Sequence, residues 1–91
     1  MSYRDLSSTI TSGGTAQTRA AADGTRLGFS VQNKSTGDLY VKAGGTAASA
    51  TVGWKIGAGE LLRTSPGMQC GGALSIFGAT TGQAFEAGEW N

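Results

Sequence analysis

From Arg26 onward, large apolar residues return at every second position in short runs, and each run is cut off by a turn. Leu27, Phe29 and Val31 alternate with Gly28, Ser30 and Gln32, and NKSTGD then interrupts the run. Leu39 and Val41 alternate with Tyr40 and Lys42 before the loop GGTAASA. Val52, Trp54 and Ile56 alternate with Gly53 and Lys55, and Gly57-Ala58-Gly59 turns the chain into Glu60-Leu61-Leu62-Arg63. Ser65-Pro66-Gly67 is a proline-led turn, Leu74 and Ile76 mark a further run, and Thr80-Thr81-Gly82 precedes a last one from Gln83 to Trp90. Period two is the signature of a strand with one face buried. Turn signals about every ten residues are the pattern of a sandwich or barrel.

Nowhere do apolar residues recur at three and four over the length a helix needs; AQTRAAAD is the one alanine-rich stretch, and it is short. The sequence therefore predicts an all-β fold, a small antiparallel β-sandwich or jelly-roll-like domain of six short strands from Arg26 onward and up to eight in all. The expected division is a polar arm over 1–25 and a sandwich over 26–91. In the arm, the stretches around Ile10 and at 16–19 are candidate short strands, turned by Gly13-Gly14, and the first few residues are read as mobile. Phe29, Val31, Leu39 and Val41 are the expected core, and Trp54 is expected in it because it shares a face with Val52 and Ile56. In the last strand Phe85 and Ala87 fall on one face and Trp90 on the other.

The stretch SVQNKSTGDLYVKAGG, Ser30 to Gly45, admits three readings: a hairpin, a phosphate-cradling loop, or a glycosylation acceptor at Asn33-Lys34-Ser35. Gly44-Gly45-Thr46 lacks the GK[ST] ending of a phosphate loop, and no helix follows to offer its N-terminal amides. Gly57-Ala58-Gly59 lacks the third glycine of a dinucleotide site. Both read as turns that need positive φ. MSYRDLSSTI has no apolar signal-peptide core, and no apolar run is long enough to span a bilayer. These features predict synthesis in a cytoplasm, with no membrane partner, and reduce the acceptor triplet to turn chemistry. The hairpin is the remaining reading, with its turn at Asn33–Asp38.

The chain contains no histidine, which removes the commonest general base and metal ligand. Glu86 and Glu89 are the one close pair of carboxylates, and their odd spacing sends them to opposite faces of a strand. Cys70 is the single cysteine, so no internal disulfide or cysteine metal cluster can form; it reads as a small buried or interface thiol. No catalytic, cofactor or metal site is expected. Seven basic and six acidic residues give a net charge of +1 with no run of like sign, which favours neither nucleic acid nor an anionic membrane. A weaker nucleic-acid reading rests on Tyr40 and Lys42 on one strand face, with Lys55 nearby, where a base could stack. A sugar-binding reading rests on exposed aromatics, Trp90 or Tyr40. A chain of 91 residues buries only about two-thirds of its unfolded surface. With 16 glycines and 14% charged residues, it is expected to draw stability from partner chains. Tyr40, Lys42 and Trp90 are the interface candidates.

The layout RLGFSVQNKSTGDLYVKAGGTA, then Ile56-Gly57-Ala58-Gly59-Glu60, then GALSIFGATTGQAFEAGEW resembles small virion proteins of tailed bacteriophages. The elements that carry the resemblance are Arg26, Gln32-Asn33, Leu39-Tyr40-Val41, Gly44-Gly45, Gly59-Glu60 and Glu89-Trp90. Cys70 and Lys42 stand outside the pattern. The resemblance implies a structural role in the virion: a capsid decoration or cement protein on the outer shell, with the major capsid protein or other virion proteins as partners. It also implies a homo-oligomer, a trimer in preference, and an N-terminal arm that clamps a neighbour. The alternatives are a fibre, collar or tail component, or a virion-displayed glycan-binding module.

Overall fold

The computed structural model describes residues 3–65 and 71–91. The expected turn at Pro66-Gly67 and the thiol of Cys70 lie outside the described residues. Among the described residues nine strands form two antiparallel sheets. They are β1 (Tyr3–Asp5), β2 (Ser8–Thr9), β3 (Gln17–Ala20), β4 (Gly28–Asn33), β5 (Leu39–Ala43), β6 (Trp54–Ile56), β7 (Leu61–Arg63), β8 (Leu74–Gly78) and β9 (Ala84–Trp90). One sheet runs β1-β9-β4-β7, with β2 also on β9; the other runs β3-β8-β5-β6. No helix occurs among the described residues.

β1 and β2 are two pieces of one strand laid along β9. They are parted at Ser7, whose hydroxyl accepts from the Ala87 amide at 3.0 Å and donates to the Ala87 carbonyl at 3.3 Å. Counted so, the chain is one long antiparallel ribbon folded back at the β5–β6 loop: β1/β2 pairs β9, β3 pairs β8, β4 pairs β7 and β5 pairs β6. The ribbon bends at corners and rolls up, and the seams β4·β9 and β5·β8 close it. That topology is a jelly roll.

The same topology corrects the reading of Ser30 to Gly45 as a hairpin. β4 lies between β9 and β7 in one sheet, and β5 lies between β8 and β6 in the other. The reason is burial. A hairpin would put Phe29, Val31, Leu39 and Val41 on one face of one sheet, to be covered by something else. In the roll the two strands face each other across the core, and these residues are 0%, 5%, 0% and 2% exposed. Leu74, Ile76, Ile56, Phe85 and Ala87 complete the two inner faces.

Residues 3–20 belong to both sheets from Tyr3 onward, and Leu6, Ile10 and Ala20 are buried in the core. Two alternation assignments fail at element ends. Leu27 is 64% exposed because β4 begins at Gly28; its amide still meets the Trp90 carbonyl at 2.8 Å, but its side chain lies past the core. Trp54 is 36% exposed because β6 is an edge strand. One side of its indole meets Phe29, ring centroids 6.5 Å apart, and among the described residues no strand lies beyond β6 to cover the rest. The turn glycines Gly44, Gly45 and Gly59 do have positive φ, as expected for Gly44-Gly45 and for the end of Gly57-Ala58-Gly59.

The corner after β4 is built by Asn33, whose side chain is fully buried. Its Nδ2 donates to the carbonyls of Gly37 (2.6 Å) and Ile56 (2.8 Å), and its Oδ1 accepts from the Ser35 amide (2.8 Å) and hydroxyl (2.7 Å). The amide of the Asn33-Lys34-Ser35 triplet is therefore consumed inside the fold. Gln83 ties the adjacent corner to this one: its Nε2 donates to Ser35 Oγ and the Asp38 carbonyl, both at 3.1 Å, while its Oε1 accepts from the Thr80 amide. Truncating Asn33 strands buried donors and acceptors, which costs about 1–3 kcal/mol for such a group. Asn33→Ala is expected to lower unfolding stability by roughly 2–4 kcal/mol in a denaturant titration, against under about 0.5 kcal/mol for the exposed neighbour in Thr36→Ala.

Candidate functional site

The three interface candidates do not meet. Tyr40 and Lys42 project from β5 on the outer face of one sheet, and Trp90 projects from β9 on the outer face of the other. Tyr40 is half-buried against Phe77, ring centroids 6.2 Å apart at 59°. Lys55 stands opposite Tyr40 in register, as the sequence suggested, and its ammonium is 3.6 Å from the Asp38 carboxylate. Lys42 Nζ lies 6.0 Å from the Trp54 ring centroid. Beside Lys42 the loop after β5 folds over the sheet: Ala48 is buried, and its amide donates to Ser75 Oγ at 2.9 Å. Tyr40 already has a ring partner and Lys55 a carboxylate, so this face offers a base less than the sequence implied.

On the other sheet the outer face has a glycine floor. The Trp90 ring lies over Gly28, where a Cβ would strike the indole, and the Tyr3 ring lies over Gly88, where a Cβ would strike the phenol. Arg63 brings its guanidinium to 5.9 Å from the Trp90 ring centroid, within cation–π range. Tyr3 remains 65% exposed, whereas Trp90 is partly covered. The aromatic at the chain end is thus packed, and the aromatic at its start is presented.

Sequence reasoning missed the ion cluster at the end of the roll opposite the Asn33 corner. Arg26 and Glu89 are 5% and 7% exposed. Arg26 Nε donates to Glu89 Oε1 at 2.6 Å, Nη1 to the Gly72 carbonyl at 2.6 Å and Nη2 to the Ala21 carbonyl at 2.8 Å. Glu89 Oε2 meets the exposed guanidinium of Arg4. With Asp23, Trp90 and Asn91 these side chains line a cavity of about 150 Å³. The hydroxyl and amide of Thr25 both donate to Asp23 Oδ1, at 2.6 and 2.9 Å, and hold its carboxyl below the ordinary 3.8. A signal was present in the sequence: Phe85, Ala87 and Glu89 share one parity, so Glu89 points inward and requires a buried partner.

These groups fasten the chain. Arg26 joins the 21–25 loop, the 71–72 turn and the last strand in one set of charge-assisted bonds. The Glu86–Glu89 pair does split between faces, with Glu86 exposed and Glu89 buried. Among the described residues no three His, Cys, Asp or Glu side chains come close enough to hold a metal ion. Removing one partner of a buried pair costs about 3–5 kcal/mol, whereas an exposed ion pair contributes under about 1 kcal/mol. Glu89→Ala is therefore expected to destabilise the fold by roughly 3 kcal/mol or more in chemical unfolding, and Arg4→Ala by less than about 1 kcal/mol.

Comparison with known proteins returns no relative: no family model matches the chain, no curated protein is similar to it, and no solved structure matches it.

Proposed function

We propose that this chain is a structural virion protein of a tailed bacteriophage, a decoration or cement protein that binds the outer capsid shell as an oligomer, a trimer in preference. The observation that carries the reading is the set of large apolar side chains left on a small, sparsely charged sandwich. Leu27 is 64% exposed, Leu61 58% and Trp54 36%. Trp54 and Leu61 lie on the edge strands β6 and β7, where backbone groups of the sheets also end without a neighbouring strand. Edges of this kind are covered or blunted in proteins that stand alone, and a neighbouring subunit is one way to cover them. Low charge suits repeated contacts, since few ions would be desolvated at each one.

Two further arguments support the reading at the level of likeness. The sequence layout from Arg26 to Trp90 resembles small phage virion proteins, and jelly rolls are an architecture of viral shell proteins as well as of lectins. A fold alone does not assign function. Residues from Tyr3 onward are paired along β9, so they do not form a free arm that could clamp a neighbour. Contacts would instead come from the folded body, with many weak copies acting together.

The test is a copy count by quantitative mass spectrometry on purified particles of the phage that encodes the chain. The expected result is many copies in fixed proportion to the major capsid protein, falling several-fold with Leu61→Asp. Particles that lack the chain would end the proposal.

A further inference from the structure

The outer face of the β1-β9-β4-β7 sheet holds a groove of about 240 Å³ lined by Tyr3, Asp5, Ser30, Gln32, Leu61 and Glu86. Its volume is below the roughly 300–1,000 Å³ of pockets that enclose drug-sized ligands, so an occupant lies along the face. Asp5 and Ser30 stand on either side of Gly88 in register, and the Tyr3 ring occupies the space that its missing side chain leaves. Tyr3 and Leu61, on the two edge strands, form its apolar walls.

The polar groups on the floor are short of partners. Ser30 and Glu86 make no side-chain hydrogen bond among the described residues. Gln32 uses its Nε2 in a long contact of 3.4 Å to the Gly59 carbonyl, which leaves Oε1 open. Asp5 takes the Ser7 amide on Oδ1 at 2.9 Å, and the Ser7 hydroxyl also bears on its carboxyl. Asp5 and Glu86 are diagonal neighbours on adjacent strands, a separation of roughly 7–8 Å that the side chains can bridge toward one ligand. The face thus presents acceptors beside an exposed aromatic ring and an aliphatic wall. Its complement is a ligand with many neutral donors and one apolar side.

We infer that this groove binds a neutral saccharide, with a pyranose ring stacked on Tyr3 and its hydroxyls donating to Asp5, Gln32 and Glu86. Carboxylates repel a nucleic-acid backbone. Arg63, opposite Ser30 on this outer face, turns its guanidinium to the Trp90 ring and sets positive charge beside the groove, which disfavours a cationic peptide. Charged partners are also screened by salt, whereas hydroxyl-to-carboxylate bonds and stacking change little with it. The inference rests on the groove and not on a virion role: a chain absent from particles could still bind sugar, and a cement protein could fail to.

The test is a titration of the folded, isotope-labelled chain with maltohexaose, cellohexaose, mannohexaose and an N-acetylglucosamine hexamer, read by backbone amide shifts. At least one of the four is expected to move the amides of Tyr3, Ser30, Gln32 and Glu86 saturably. The affinity should hold steady between ~50 and ~500 mM salt, conditions that span a several-fold change in screening length. Tyr3→Ala and the near-isosteric Glu86→Gln should each weaken it about tenfold, a change of about 1.4 kcal/mol. Lys55→Ala on the opposite sheet should leave it unchanged. Because Tyr3→Ala could loosen β1, Glu86→Gln decides the matter if the two disagree. The proposal is overturned if none of the sugars moves those amides, if shifts map to the other sheet, or if tetralysine alone binds there with a steep salt dependence.

Discussion

The structure depends on one constraint: a single antiparallel ribbon must turn corners between two sheets without leaving buried backbone groups unpaired. At a corner the ladder stops, and the amides and carbonyls it served need other partners. Side chains supply them. Asn33 stands at the corner between β4 and β5 and spends its amide on the carbonyls of Gly37 and Ile56. Gln83 does similar work between β8 and β9 and reaches back to Ser35 and Asp38. Because the ribbon is double, each corner is also braced by its antiparallel companion. The Ile10 amide meets the Gln83 carbonyl at 2.9 Å, the Asp23 amide the Gly71 carbonyl at 2.7 Å, and the Asn33 amide the Glu60 carbonyl at 3.0 Å.

The opposite end is closed by charge. Arg26 and Glu89 are taken out of water, which is costly unless their bonds are completed. Arg26 completes its own with two backbone carbonyls, and Glu89 with the guanidinium of Arg4. The outcome is a roll tied at one end by neutral amides and at the other by an ion cluster. Its outer faces are left for contacts. One face carries Tyr40 with Phe77 and the lysines; the other carries Tyr3 and Trp90 over a glycine floor. A sandwich of this kind can meet a shell with its edges and a small ligand with a face, so the two proposals need different surfaces for the most part, sharing Leu61 at the rim.

Strand content was legible in the sequence because alternation is a local property. Phe29, Val31, Leu39, Val41, Ile56, Leu74 and Ile76 could be placed on inner faces from parity alone, and all are buried. Pairing was not legible. NKSTGD looks the same whether it joins neighbours in one sheet or carries the chain across to another, and only the opposed burial of β4 and β5 separates the two. Parity also fails where a strand ends or lies at an edge, which is why Leu27 and Trp54 came out exposed. The first quarter of the chain reads weakly because its core contribution is Leu6, Ile10 and Ala20, set among polar residues. Of the candidate site residues, Trp90 was placed on the right face, but Tyr3 and Glu86 carried no motif. Their role arises only where β1, β4 and β9 lie side by side.

The central claim is the rolled ribbon, since the corners, the buried ion cluster and the groove all follow from it. Cross-strand nuclear Overhauser effects between backbone protons test it most directly. Rolling predicts contacts of Val31 with Ala87 and Leu62, and of Val41 with Ile76 and Trp54. Cross-strand contacts between Ser30–Asn33 and Leu39–Lys42, the pattern of a hairpin, would contradict it.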